Sequence, residues 1–328
     1  KMKIIRELTD EVKNKGFVGG VRSLLHKKIH LKGVVFDESN ASNSNLLISD
    51  FDIRNRVILA DNERPLVSII IPMYNQIGYT CNCVHSIYAN NEFKDYEIII
   101  ADDKSTDNTE VLKIYFEHIR VIRNDNNVGF LKNCNNAAAH ARGEYLVFLN
   151  NDTQVQKDWL VSLLSVFRDF DKVGLAGSKL IYPDGKLQEA GGIIWRDASG
   201  WNYGNRDNPS KPEYNYVKEA DYISGASVLV PRKVWDELGG FDELFSPAYC
   251  EDSDFCFRVR QAGYKVMYQP FSEVVHFEGI SHGTDVNSGI KHYQVLNNKK
   301  FYERWKDELS KKSRSGENVF FERDRTQN

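Results

Sequence analysis

Four short apolar runs alternate with stretches of helical character at the start of the main domain. The runs cover residues 66–72, 97–102, 119–124 and 145–150. Strands that lack alternation between apolar and polar residues are covered on both faces, and intervening helices indicate right-handed parallel crossovers. The pattern therefore predicts an α/β fold of nucleotide-binding type, in which helices flank a mostly parallel sheet.

The pattern becomes more mixed after residue 153. Apolar stretches and Pro or Gly breaks predict further elements here: helices over residues 158–170, from Pro231 and over 250–262, and strands over 174–181, 222–230, 265–269 and 274–277. Together with the first half, these elements delimit a main domain over residues 65–283.

The two ends of the chain differ from this domain. Residues 1–64 predict two short helices followed by a polar linker, and residues 284–328 predict a charged helical extension with a polar tail. Two short helices bury little surface by themselves. We therefore expect residues 1–64 to act as a helical appendage that docks or forms a homo-oligomer, with the C-terminal extension as the alternative for that role.

Composition removes several classes of function. The 328 residues are 41% hydrophobic, and 43 basic against 46 acidic residues give a net charge of −3, which provides no basis for binding nucleic acid. The five cysteines have no metal-finger spacing and predict reduced thiols in the cytoplasm. No apolar run reaches the roughly 18 residues that would span a bilayer. Peripheral contact with the inner face of the membrane remains a hypothesis.

Polar residues follow all four apolar runs of the first half. These polar ends are residues 72–75, 102–105, 126–129 and 150–152. In an open parallel sheet, ligands bind beyond the carboxyl ends of the strands. A turn would explain any one of these ends but not all four, so they predict a binding site.

The sequence also limits the kind of ligand. No GxGxxG follows the first strand and no GxxxxGK[ST] occurs, which disfavours a dinucleotide site and a P-loop. A phosphorylated ligand would then need a metal ion held by a carboxylate to offset its charge. Asp152 is the candidate ligand.

Residues 65–283 resemble the large inverting glycosyltransferases of family 2, which have the GT-A fold. The matching motifs are VSIIIPMYN (67–75), IIIADDKSTDNT (98–109), NNVGFLKNCNNAAAHARGEYLVFLNNDT (126–153), ISGASVLVPRKVWDELGGFDE (223–243), YCEDSDFCFRVRQAGYKV (249–266) and VVHFEGIS (274–281). They occur in the family's order and cover about two-thirds of the chain.

The resemblance implies a set of nucleotide-binding residues. Tyr74, next to Pro72, matches the ring that stacks on the base, and Asp103, beside Asp102, matches the carboxylate that bonds the uracil or thymine imide. The family's Asp-x-Asp motif falls on Asn150, Asn151 and Asp152, so this chain has Asn at the positions that face the ribose and the donor sugar. Asn135 is a further candidate for contact with the nucleotide.

The resemblance also implies the metal ligands and the catalytic group. Asp152 and His276 match the ligands of Mn²⁺ or Mg²⁺, and Gly225 matches a position where the backbone lies close to the donor sugar. Asp252 matches the base that deprotonates the acceptor, with Glu251 as the alternative.

The function implied is metal-dependent, inverting transfer of a hexose from a UDP-sugar. We expect N-acetylglucosamine or glucose as the sugar, and a hydroxyl of a growing glycan on a surface protein, lipid or polysaccharide as the acceptor. Transfer of rhamnose from dTDP-rhamnose is one alternative. A binding or assembly module with a degenerate transferase fold is the other, because Asn replaces Asp at residues 150 and 151.

Overall fold

The computed structural model describes residues 57–278 and 292–324. The two helices predicted near the N-terminus lie outside the described residues, and the self-association of residues 1–64 stays a prediction. Within the described ranges, no helix combines the length and the hydropathy needed to cross a membrane.

Strands and helices alternate through the first half of the described chain, as the apolar pattern predicts. The strands are β1 (Val57–Ile58), β2 (Val67–Met73), β3 (Tyr96–Asp102), β4 (Phe116–Glu117), β5 (Arg120–Arg123), β6 (Tyr145–Leu149), β7 (Thr153–Val155), β8 (Val173–Ile181), β9 (Leu187–Glu189), β10 (Gly192–Ile194), β11 (Gly200–Asn202), β12 (Lys218–Glu219), β13 (Ser227–Pro231) and β14 (Lys265–His276). The α-helices are α1 (Ile77–Asn90), α2 (Val111–Tyr115), α3 (Phe130–Ala139), α4 (Trp159–Asp169), α5 (Arg232–Leu238), α6 (Glu251–Gln261), α7 (His292–Leu309) and α8 (Val319–Glu322).

A mixed sheet forms the centre of the fold. Among the described residues it has ten strands, with the order β12-β14-β8-β13-β6-β2-β3-β5 and with β7 and β9 paired to β14 and β8. The strands β6, β2, β3 and β5 run parallel to one another. Strand β13 is antiparallel to both β6 and β8. The parallel strands β6, β2, β3 and β5 therefore agree with the prediction. The antiparallel strand β13 makes the sheet mixed.

Burial on both faces of the sheet explains the continuous apolar runs. Every residue of β2 is buried. Ile69 and Ile71 belong to one hydrophobic cluster, whereas Ile70 belongs to the other. Because side chains alternate between the faces of a strand, a strand covered on both sides needs apolar residues at consecutive positions. The sequence pattern and the layered fold thus have one cause.

Three predicted boundaries differ in the structure. Strand β1 pairs with β4, and Val57 and Leu59 are buried in the core, whereas the predicted appendage extends to residue 64. The single strand β14 replaces the two strands predicted over 265–277. The stretch of helical character between the second and third apolar runs forms only the five-residue helix α2. Pairing of β1 with β4 explains the first difference and pairing of β14 with β8 and β7 the second, and a local pattern does not show which segments pair.

The C-terminal helix α7 packs on the main domain. Phe301, Trp305 and Leu309 are buried along one side of it, at the spacing of an amphipathic helix. The ring of Phe301 contacts Phe257 of α6, with 5.0 Å between their centroids. Helix α7 of the C-terminal extension is therefore packed into the hydrophobic core of the domain.

Candidate functional site

A cleft of about 250 Å³ lies at the carboxyl ends of β2, β3 and β6. It contains most of the residues that the sequence predicted for the site. Of the twelve predicted site residues, ten line the cleft: Pro72, Tyr74, Asp103, Asn150, Asn151, Asp152, Gly225, Glu251, Asp252 and His276. The structure therefore brings together strand ends, a loop and a helix that lie far apart in sequence.

Asp103 organises one wall of the cleft. Its carboxylate accepts hydrogen bonds from the backbone N–H groups of Val128 and Gly129, at 2.8 and 2.9 Å, and from Asn124 Nδ2 at 3.0 Å. Gly129 has a φ of +86°, and a Cβ there would lie 2.7 Å from Cβ of Pro247. Only glycine suits that position. The buried carboxylate and the glycine together fix the turn beside the site.

The wall that contains Pro72 and Tyr74 is more open. Pro72 lies in the buried strand β2, and Tyr74 directly follows the end of that strand with 45% of its surface exposed. An exposed aromatic ring at the cleft has a free face on which a planar base can stack. Asn151 is buried beside it and donates from Nδ2 to Thr80 Oγ1 at 3.1 Å, which fixes the orientation of its amide.

Asp102 and Asn135 do not line the cleft. Asp102 is fully buried, where it pairs with Arg123 and accepts from the backbone N–H of Ser105. The Asn135 amide bonds the backbone of Phe241, donating to its carbonyl at 2.8 Å and accepting from its N–H at 3.0 Å. Protein groups engage both side chains in the structure, and their contact with the nucleotide stays a prediction.

Antiparallel pairing of β7 and β14 brings Asp152 and His276 together. His276 is the register partner of Thr153, and the Phe277 N–H donates to the Asp152 carbonyl at 2.9 Å. Asp152 Oδ1 consequently lies 3.4 Å from His276 Nε2. Burial by itself would lower the pKa of His276, but the neighbouring carboxylates, chiefly Asp152, outweigh burial and raise it.

Asp152 and His276 fit a divalent cation that is shared with a ligand. Within the described residues, no group of three or more His, Cys, Asp or Glu side chains is placed to hold a metal. A carboxylate oxygen and an imidazole nitrogen are nevertheless suitable donors, and Mg²⁺ in phosphate sites takes one or two carboxylates plus phosphate oxygens. The two side chains would hold such a cation only together with the phosphates of a bound nucleotide.

Three carboxyl groups lie at the other side of the cleft. Asp252 Oδ2 accepts from the Gly225 N–H at 3.2 Å, and Glu189 Oε1 accepts from the adjacent Ser224 N–H at 3.1 Å. Burial raises the pKa of Glu189 to about 8. Burial and the charge of Asp252 raise the pKa of Glu251 well above its ordinary value. In both groups, burial thus favours the protonated form.

Asp252 is the better placed of the two candidate bases. Its pKa is also raised by burial, but the N–H groups of Gly225 and Ser253 oppose that effect by bonding the carboxylate. Glu251 is buried, and its Oε2 has no hydrogen-bond partner in the described residues. Two adjacent carboxyls with different environments divide into one acid and one base. This arrangement favours Asp252 as the base over Glu251.

The backbone around Gly225 leaves space beside Asp252. A Cβ at Gly225 would meet Asp252 Cβ at 3.7 Å, an ordinary van der Waals distance. Packing inside the protein does not therefore require a glycine there. The space belongs to the cleft.

Helix α6, which carries Asp252, is held by groups from α7. The Asn297 amide donates to the carbonyls of Phe245, Ala248 and Tyr249, at 2.7, 2.8 and 3.2 Å. Trp305 Nε1 donates to Asp254 Oδ1 at 2.9 Å. These contacts fix the loop before α6 and its first turn.

Sequence reasoning missed several residues at or beside the site. Glu278 lines the cleft two positions after His276, and the side chain of Gln188 contacts both residues. Glu189 and Asn297 lie behind the carboxyl side. The position of Glu278 near the end of the last strand was a usable signal. The other three depend on contacts across 35 residues or more, for which a single sequence carries no signal.

The comparisons with known proteins agree with this geometry. The family model described as Glycosyl transferase family 2 matches residues 68–230, about half of the chain. The chain is 29% identical over 231 residues to the uncharacterized protein y4gI of Sinorhizobium fredii, which covers 67% of this chain and 25% of that protein. It is 28% identical over 250 residues to the O-antigen biosynthesis protein RfbC of Myxococcus xanthus, and this match covers 71% of this chain and 19% of that protein. The chain thus spans a quarter or less of these two relatives.

A solved structure shows the fold. The structure of GalNAc-T7 with UDP, GalNAc and Mn²⁺ matches with a TM-score of 0.60 and 19% identity, over 74% of this chain and 49% of that one. Both the mixed sheet and the position of the cleft agree with the GT-A fold expected from the sequence. The chain belongs to glycosyltransferase family 2 and has the GT-A fold.

Proposed function

We propose that the protein transfers a hexose from a nucleoside-diphosphate sugar to a hydroxyl group, with inversion at the anomeric carbon. One observation carries this proposal: Asp152 and His276 line the same cleft as the Asp252 carboxylate and the open ring of Tyr74. On this proposal, the groups that would bind a diphosphate, stack on a base and accept a proton line one cavity.

Asp252 would accept the proton of the acceptor hydroxyl as its oxygen attacks the anomeric carbon. The new bond joins that oxygen to the anomeric carbon, while the bond from this carbon to the diphosphate oxygen breaks. A single displacement of this kind inverts the configuration. The bonds from Gly225 and Ser253 keep Asp252 oriented in the cleft, and its ionised form is the one that can take the proton.

The leaving group needs its charge offset. Asp152 and His276 would hold Mn²⁺ or Mg²⁺ against the diphosphate, and the cation would stabilise the departing charge. Asn150 and Asn151 provide amide groups beside Asp152, where a family Asp would place charge. Side-chain amides bond ribose and sugar hydroxyls without adding negative charge next to the cation.

We infer UDP-N-acetylglucosamine or UDP-glucose as the donor, and a growing surface glycan as the acceptor. The GalNAc-T7 structure contains UDP and Mn²⁺, which makes them suitable first probes for this chain. dTDP-rhamnose is the alternative donor.

The test is a screen for slow hydrolysis of nucleotide-sugars, with and without Mn²⁺ and with Asp152→Ala as the comparison. We expect release of one nucleoside diphosphate that depends on both Mn²⁺ and Asp152. Release from dTDP-rhamnose alone would replace the proposed donor.

Calorimetry with UDP and dTDP on the same samples covers the case in which no donor is hydrolysed. Binding without hydrolysis would then be followed by assays with glycan acceptors. Failure to bind either nucleotide would overturn the proposed function in favour of a degenerate binding module.

A further inference from the structure

A chain of side-chain hydrogen bonds leads away from His276 on the side opposite Asp152. His276 Nδ1 lies 3.1 Å from Gln188 Oε1. Gln188 Nε2 donates to Glu278 Oε2 at 3.0 Å, and the same carboxylate oxygen accepts from Tyr182 Oη at 3.2 Å. Gln188 is 2% exposed. None of these bonds is needed for the roles assigned above.

Glu278 determines which way the Gln188 amide points. A carboxylate only accepts hydrogen bonds, so the NH₂ group of Gln188 must face Glu278 and its carbonyl oxygen must face His276. The reversed amide would place two acceptors against each other at 3.0 Å. The amide orientation therefore follows from chemistry as well as from the coordinates.

The orientation of the amide determines the tautomer of the imidazole. The Gln188 oxygen can only accept, so His276 Nδ1 must carry a hydrogen. In the neutral ring the lone pair is then on Nε2, the atom that lies 3.4 Å from Asp152 Oδ1. A metal ion binds histidine through such a lone pair, and the other ring nitrogen commonly donates to a fixed acceptor.

We propose that Gln188 is a positioning residue that holds the His276 ring with its proton on Nδ1, so that Nε2 faces a cation shared with Asp152. This inference rests on the proposed function, because it assigns Gln188 to the same metal site. Glu278 and Tyr182 extend the support by one further bond each.

Gln188→Met tests the inference, since methionine has a similar length and forms neither hydrogen bond. Gln269→Met is the matched control: Gln269 is 4% exposed on the same strand as His276, but it bonds the Ser162 carbonyl and the Phe271 N–H. His276→Ala is the reference for a lost ligand. Each variant is titrated with Mn²⁺ in the presence of saturating UDP, by calorimetry or by the paramagnetic resonance of free Mn²⁺, and its thermal melting is recorded.

We expect Gln188→Met to lose about 10–100-fold in Mn²⁺ affinity, the usual effect of removing such a partner. Gln269→Met should bind Mn²⁺ like the wild type. Equal Mn²⁺ affinity in the two Met variants would overturn the role of Gln188. If the wild type and His276→Ala bound Mn²⁺ equally, or neither bound it, the metal site of the proposed function would itself be wrong.

Nitrogen-15 spectra of the histidines give a second readout that does not depend on metal. The His276 signal is identified by its absence in His276→Ala. At a pH where the ring is neutral, we expect hydrogen on Nδ1 in the wild type and a shift toward the Nε2–H tautomer in Gln188→Met. A wild-type ring with its hydrogen on Nε2 would contradict the inference even if the affinities changed.

Discussion

The two sides of the cleft are built in different ways. On the proposed nucleotide side, Tyr74 and Asp103 directly follow the parallel strands β2 and β3, and Asp152 lies three residues after β6. On the proposed acceptor side, Asp252 is on α6 and accepts from the loop before β13; Glu189 of β9 bonds that loop, and α7 bonds the loop before α6. One side is made of strand ends and the other of contacts between distant segments.

The difference has a physical consequence. Parallel strands in register deliver their carboxyl ends to one edge of the sheet whatever the loops do. The acceptor side has no such scaffold, so the position of Asp252 depends on several individual hydrogen bonds. We therefore expect nucleotide binding to tolerate changes on the acceptor side, and catalysis to be sensitive to residues that contact no substrate.

Asp252→Asn gives the largest expected effect and tests whether the two sides are separable. Removing the proton acceptor should reduce glycosyl transfer by about 10²–10⁴-fold, the usual contribution of general acid–base catalysis. UDP affinity, measured by calorimetry, should stay within about threefold of the wild type, a change of under 1 kcal/mol. Asp236→Asn, the same change at an exposed position of α5, is the control. Full activity in Asp252→Asn would assign the base to another residue.

Asp103→Asn tests the proposed nucleotide side, because it should weaken nucleotide binding, which Asp252→Asn should leave unchanged. In the wild type, one carboxylate oxygen of Asp103 accepts from the N–H of residue 128 and the other from the N–H of residue 129. In the Asn variant, the NH₂ group takes the place of one of these oxygens and faces a backbone N–H, so one bond is lost. A lost bond to a charged group costs about 1.5–3 kcal/mol. We expect UDP affinity to fall about 10–100-fold, measured by calorimetry. Asp125→Asn, an exposed neighbour in the same turn, should bind normally; a matching loss there would show that charge alone matters.

Asn297→Ala tests whether α7 supports catalysis from outside the cleft. Three carbonyls lose their donor, two of them buried, which costs about 1–3 kcal/mol and lowers the melting temperature by several degrees. Displacement of Asp252 should lower kcat by about tenfold, within the range known for misplaced groups, while UDP affinity stays unchanged. Asn298→Ala is the matched control, because Asn298 bonds the Ala198 carbonyl instead. Equal kcat in both variants would leave α7 a role in stability alone.

This comparison also explains what the sequence could predict. The continuous apolar runs predicted the parallel strands, and their polar ends predicted Tyr74, Asp103 and Asp152 at one cleft. Asp102 and Asn135 do not line the cleft, and their side chains bond Arg123 and the Phe241 backbone. Gln188, Glu189 and Asn297 were missed because their partners are distant in sequence. A local pattern predicts which edge carries a site, and tertiary contacts decide which side chains reach it.

Glu189→Gln tests the proposed acceptor side through the pH dependence of stability. Glu189 Oε1 accepts from Ser224, next to the Gly225 N–H that bonds Asp252, and its Oε2 has no partner in the described residues. Burial raises its pKa to about 8 from 4.5, and Asp252, His276 and Glu278 are the titratable groups facing it.

The sign of the effect follows from these two pKa values. The unfolded chain loses this proton near pH 4.5, whereas the folded protein keeps it until about pH 8. The stability contributed by Glu189 is therefore complete below pH 4.5 and is lost as the pH rises toward 8, with a slope of at most about 1.4 kcal/mol per pH unit.

Denaturant unfolding at pH 5, 6, 7 and 8 measures this loss. The free energy of unfolding of the wild type should fall relative to that of Glu189→Gln across this range, because the neutral amide has no proton to lose. Glu110→Gln, at an exposed position, should keep the pH profile of the wild type. If the free energy of unfolding changed with pH in the same way for the wild type and Glu189→Gln, Glu189 would be ionised in the folded protein. Both Glu189 and Asp252 would then be negatively charged beside residues 224 and 225.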